Sequence, residues 1–104
     1  MIKNLNLEKY DFAQINEIET GFYFGVDITP YVDETYDWKQ MGEIRRGLEQ
    51  GLNIDFYKSK EFEWLQMFQI RQGLLEGLDV SKYADTKYDR TDMFRIRRSL
   101  KEGK

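Results

Sequence analysis

The sequence predicts an all-α fold: a small solenoid of four stacked 26-residue helical repeats with short connecting turns. Three observations predict it: a repeat that needs no gap, apolar residues at helical spacing inside each repeat, and start and stop signals around each predicted helix. Set in rows of 26 from Asp11, the chain reads DFAQINEIETGFYFGVDITPYVDETY, DWKQMGEIRRGLEQGLNIDFYKSKEF, EWLQMFQIRQGLLEGLDVSKYADTKY and DRTDMFRIRRSLKEGK. Ile15, Met41, Met67 and Met93 share a column, as do Ile18, Ile44, Ile70 and Ile96. Phe22, Leu48, Leu74 and Leu100 form a third, and Gly25, Gly51, Gly77 and Gly103 a fourth. The residues before Asp11 fit as the tail of a preceding row: Ile2 matches Ile28, Ile54 and Val80, and Tyr10 matches Tyr36. A single repeat domain over 1–104 follows, with 1–10 as that tail, full repeats at 11–36, 37–62 and 63–88, and a truncated capping repeat at 89–104. A unit this short cannot bury its own apolar face, so stacked neighbours must cover it.

Each row predicts one helix. In the second row Met41, Ile44, Leu48 and Leu52 recur at spacings of three and four and share a face. Asp37 stands three residues before Gln40, a pairing that can satisfy free N–H groups at a helix start, and Tyr36 with Met41 suits a hydrophobic staple. Asp11/Gln14, Glu63/Gln66 and Asp89/Asp92 repeat the pairing. Gly51 is placed to end its helix in the left-handed conformation, and Asp79 to cap a short turn running to Tyr83. Gly21, Gly47 and Gly73 fall inside the predicted helices, where glycine costs about 1 kcal/mol relative to alanine. Close approach of a neighbouring backbone is the expected compensation, with Ser99 keeping that column small.

The composition removes several functions. An aromatic content of 15%, carried by seven Tyr, seven Phe and two Trp, argues for a packed fold over disorder. No apolar run approaches the roughly 18 residues of a membrane span, and the start MIKNLNLEKYDF lacks the features of a signal peptide. With no cysteine there is neither disulfide framework nor thiolate metal site, and a cytoplasmic location is expected. With no histidine the usual general base and the commonest metal ligand are missing, and Ser-His or Cys-His nucleophile pairs are impossible within the chain. The net charge of -3 is uneven: residues 1–37 carry -6, residues 38–89 carry -1 and residues 90–104 carry +4.

The motif Q-M-x-x-I-R-x-G-L-x-x-G-L-[ND]-[IV]-x-x-Y, carried by residues 40–57 and 66–83, resembles an uncharacterised helical tandem repeat of similar length in proteins of Gram-positive gut bacteria, often associated with mobile elements. The resemblance covers Asp11 to Gly103, with a divergent first row in which Glu19 replaces the Arg and Phe22 the Leu. It implies the repeat architecture and a bacterial source, and assigns no activity.

Four features carry functional expectations, each beside a structural one. The column of Arg45, Arg71 and Arg97 lies beside the apolar stripe, roughly 55° from its centre at 3.6 residues per turn. It reads as a ladder for phosphates or carboxylates, or as a set of struts reaching Asp27, Asn53 or Asp79 of an adjacent unit. The basic last row, with Arg90, Arg95, Arg97, Arg98, Lys101 and Lys104, suits nucleic acid, or a capping helix in which Arg90 replaces Trp38 and Trp64. The acidic start and basic end suggest weak head-to-tail self-association. In TGFYFGV, Tyr23 stands in the column of Glu49, Leu75 and Lys101, and Phe24 in that of Gln50, Glu76 and Glu102. On the helical wheel Phe24 and Leu65 point away from the stripe, so Tyr23, Phe24 and Leu65 read as a partner surface, unless Ile2, Leu5 and Leu7 fold over Tyr23 and Phe24.

Enzyme readings are weak. Asp33, Glu34 and Asp85 fall in loops and suit a hard cation, but no Asp-x-Asp-x-Asp-Gly loop or glycine-rich phosphate loop occurs. The function expected is a protein–protein interaction or scaffold module without catalysis or cofactor. The alternatives are nucleic-acid binding through Arg45, Arg71, Arg97, Arg95, Arg98 and Lys101, and head-to-tail assembly.

Overall fold

The computed structural model describes residues 5–103. Among them are four α-helices and no strand: α1 (Phe12–Tyr23), α2 (Trp38–Glu49), α3 (Trp64–Leu75) and α4 (Arg90–Lys101). Short 3-10 turns at Thr29–Tyr31, Ile54–Phe56 and Val80–Lys82 link them, and another at Leu7–Lys9 precedes α1. Each helix packs on the next one in sequence. A twelve-residue helix is about 18 Å long, so in a molecule of 49 × 24 × 17 Å the helices lie across the long axis. No helix among the described residues is long and apolar enough to cross a membrane.

The local signals act as their chemistry requires. Asp11 and Asp37 accept the N–H of Gln14 and Gln40 at 2.7 Å, while the glutamine Oε1 atoms accept the cap N–H groups at 2.8 and 2.9 Å. Gln66 accepts from Glu63 N–H at 2.8 Å in the same way. Asp89 accepts from Asp92 N–H, but the shorter Asp92 carboxylate makes no return bond, so the fourth pairing is only half of the expected one. At the other end Gly51, at φ +70°, closes α2: its N–H reaches Leu48 C=O and Leu52 N–H reaches Gly47 C=O. This is a Schellman turn, and Leu52 therefore lies beyond the helix whose stripe it was expected to continue.

Three tyrosines whose burial the sequence reading did not predict form the spine of the core. Tyr31, Tyr57 and Tyr83 are fully buried, together with Ile18, Ile44, Ile70, Met41, Met67 and Met93. Their hydroxyls donate to the backbone carbonyls of Glu17, Glu43 and Gln69 at 2.8, 2.6 and 2.7 Å. This corrects the account of the helical glycines. A Cβ on Gly21, Gly47 or Gly73 would fall on the hydroxyl oxygen of the tyrosine ten residues later, not on a neighbouring backbone. The small residue is needed because each repeat folds its own turn back over its own helix. In the first row the apolar columns are less covered, and Ile15 is half-buried while Phe22 is 37% exposed.

Two ladders fix the stack. Gln14, Gln40 and Gln66 donate their Nε2 to the carbonyls of Tyr36, Phe62 and Tyr88, the residues just before the next helix cap, at 2.6, 2.7 and 2.8 Å. Helix starts are thus tied to helix starts, so the helices run in one direction. The second ladder is the arginine column.

Candidate interaction surface

The Arg column points from each helix back towards the one before it. Arg45, Arg71 and Arg97 donate Nε to Glu17, Glu43 and Gln69 at 2.7, 2.8 and 2.9 Å, always 28 residues back. A second nitrogen takes Glu49 (2.7 Å), Gln50 (3.0 Å) and Glu76 (2.8 Å) respectively. The expected partners Asp27, Asn53 and Asp79 instead accept from the backbone two residues on, at Thr29, Asp55 and Ser81. The column is engaged between helices, and its Nε acceptors sit on the preceding helix rather than in its turn. The inner rungs are balanced: Arg71 meets one carboxylate (Glu43) and one carboxamide (Gln50), and Arg97 meets the same pair exchanged, Gln69 and Glu76. Burial works against the charge on Arg45, yet its hydrogen bonds to Glu17 and Glu49 hold its pKa above the ordinary value. Burial likewise opposes the Glu76 carboxylate, and its bonds to Arg97 and Lys101 hold the pKa below the usual range.

Phe24 explains why the first rung differs. It stands where Gln50 and Glu76 accept from the next arginine, and a phenyl ring accepts nothing, so Arg45 turns to Glu49 on its own helix. Tyr23 and Phe24 are 77% and 72% exposed. The described residues before α1 leave both uncovered; Ile2 lies outside the described residues. Leu5 instead joins Phe22, Val26, Ile28 and Val32 around a groove of about 520 Å³.

Leu65 does not belong to this surface. It is half-buried, because its column lies towards the next helix, as Lys39 shows by stacking over Trp64 at 5.2 Å. A wheel drawn on one helix has no place for the neighbour. The residue that sequence reasoning missed is Phe12, 92% exposed at the head of α1. Its column holds Trp38, 43% exposed beside α1, and Trp64, half-buried under Lys39 of the preceding helix, so the column faces backwards along the stack. Phe12, Phe22, Tyr23 and Phe24 thus gather exposed aromatic area on α1 and its cap, with the Phe22 and Tyr23 rings edge to face at 5.6 Å.

The basic last row is partly engaged. Lys101 pairs with Glu76 at 3.0 Å and Arg98 with Glu102 at 3.5 Å, while Arg90 and Arg95 are exposed. The loop acids do not converge: Asp33 is held by Lys60 at 2.6 Å and Asp85 accepts from Lys87 N–H. Among the described residues no cluster of three or more acidic ligands could hold a metal ion. Hydrogen bonds from Lys60 and Thr35 bring the Asp33 pKa down to about 2. No protein-family model, curated protein or solved structure matches this chain.

Proposed function

We propose that this chain is a helical-repeat scaffold that binds another protein through the exposed aromatic side chains of α1 and its cap. The observation that carries the reading is where the exposed aromatic area lies. The three most exposed large apolar side chains among the described residues, Phe12, Tyr23 and Phe24, are all on α1 or its cap. Aromatic anchors supply much of the energy of protein interfaces, and exposed apolar clusters on an otherwise charged protein mark such sites. The test is affinity capture on immobilised wild type and on Phe12→Ser, Tyr23→Ser and Phe24→Ser, with and without nuclease. A protein retained by wild type, indifferent to nuclease and lost with the substitutions supports the reading. Equal capture by all four baits overturns it.

Nucleic-acid binding is the second reading, resting on exposed Arg90 and Arg95. It is weaker than the sequence suggested, because Arg45, Arg71 and Arg97 are engaged between helices. Its signature is an affinity for single-stranded oligonucleotides that falls steeply with salt.

A further inference from the structure

The two outer faces of the stack depart from the inner ones in the same columns and in opposite senses. At each inner junction Glu17, Glu43 or Gln69 accepts from the arginine of the following helix. On the outer side of α4 that acceptor column holds Arg95, and on the outer side of α1 the arginine column holds Glu19. Both are exposed and outside every ion pair among the described residues. The exchange is paired: Arg95 opposes the arginine of an inner repeat, and Glu19 is the residue of its column that would attract it.

Shape changes in the same paired way. An inner helix keeps a glycine where its own repeat places a tyrosine hydroxyl. In α4 that column holds Ser99, whose side chain needs the space, and the segment before α1 holds Leu5 in the tyrosine column, shorter and without a hydroxyl. Residues 7–10 already have the inner turn: Tyr10 N–H reaches Leu7 C=O at 3.1 Å, as Tyr36 reaches Asp33, Phe62 reaches Ser59 and Tyr88 reaches Asp85. Ile96 is only half-buried where Ile18, Ile44 and Ile70 are fully covered, and no turn follows α4 among the described residues.

We propose that copies of this chain stack head to tail, the outer face of α4 against the outer face of α1 of the next copy, with Arg95 meeting Glu19. This deepens the reading of the α1 face as a docking surface, on which it rests, by naming its partner. Phe12 then takes the place of Trp38 and Trp64 against a preceding helix. By the geometry that sets Lys101 on Glu76, Tyr23 falls opposite Glu102, to which its hydroxyl can donate. Two inner bonds are not reproduced: Asp92 cannot donate as Gln14, Gln40 and Gln66 do, and Leu5 has no hydroxyl. The junction is therefore weaker than an inner one and reversible. Being heterologous, it propagates rather than closing as a two-fold dimer.

The test is sedimentation of the 104-residue chain over a range of concentration and salt, for wild type, Arg95→Glu, Glu19→Arg and an equimolar mixture of the two variants. Wild type should grow beyond a dimer with concentration and shrink with salt. Each variant alone, carrying like charges at the junction, should associate at least about tenfold more weakly. The mixture should associate again, since every junction then joins opposite charges. Circular dichroism should show both variants folded, as neither residue has a partner to lose. A wild type that stays monomeric, a closed dimer, variants that associate like wild type, or a mixture that does not recover would each overturn the proposal. If self-association is absent but Phe12→Ser and Tyr23→Ser still abolish capture of another protein, only the choice of partner fails. If capture is also unchanged, the docking surface itself fails.

Discussion

Glu43 and Arg95 occupy the same column of the repeat, and the contrast between them separates the inside of this stack from its ends. Glu43 is buried between α2 and α3, its side chain 4% exposed against 6% for Arg71, and it accepts from Arg71 on one oxygen and from Arg46 on the other. Arg95, on α4, faces outwards with no following helix among the described residues. At each junction between described helices this column holds an acceptor, Glu17, Glu43 or Gln69, and on α4 it holds a cation. The residue there follows the junction rather than the helix that carries it.

Four measurements break or sharpen that contrast, the first having the largest expected effect. Burial pushes the phenols of Tyr31, Tyr57 and Tyr83 well above their ordinary value of 10.0. The folded chain holds them neutral while the unfolded chain ionises them above about pH 10, so their contribution is intact below that pH and is lost as the pH rises further. In alkali the whole fold should melt, with phenolate absorbance from these three residues and loss of helical dichroism in one transition. Ionisation of any of these three phenols before the helices melt would mean that the spine is open to water.

Glu43→Ala comes next, leaving Arg71 buried without a carboxylate, and should cost about 3–5 kcal/mol in urea unfolding. Glu19→Ala, on the outer face, should stay within about 0.5 kcal/mol. Equal effects would erase the distinction between inner and outer columns.

Gly47→Ala should destabilise by about 1–3 kcal/mol through overpacking against the Tyr57 hydroxyl, although alanine is the better helix former. Ser99→Ala should be nearly neutral, because no tyrosine covers Ser99. The penalty at Gly47 should shrink in a Tyr57→Phe background, which a double-mutant cycle reads directly. It should not vanish, since Ile54 Cγ2 also stands 2.9 Å from the added carbon.

The smallest effect is at the exposed Asp33–Lys60 link between adjacent turns. Asp33 has its pKa lowered to about 2 from 3.8, so its contribution is present above pH 3.8 and is lost as the pH falls through about 2. In Lys60→Ala its carboxyl resonance should titrate closer to 3.8. No change would assign the shift to Thr35 alone.

The period, the helix starts and the glycine stops were legible because each depends on residues within one turn of each other, as Asp37 with Gln40 or Gly51 with Leu52. The partners of Gly47 and Arg71 were not. Tyr57 reaches Gly47 only after the chain reverses, and Glu43 reaches Arg71 only once α2 and α3 lie side by side. The helical wheel therefore placed the arginine column correctly beside the stripe and then chose the wrong acceptors for it. It also put Leu65 in the open, where the tertiary arrangement half-buries it, and passed over Phe12.

What followed from the residues alone was the unit and its count, since equal spacing of apolar, capping and terminating residues permits only equivalent helices in equivalent places. Which side of each helix looks forward and which back was decided by the fold. That choice depends on how the side chains of two helices interleave and on where a turn lays its tyrosine. The setting of a charge in this chain comes from the same source, because Glu43 lies against the arginine of a following helix and Arg95 has no following helix among the described residues.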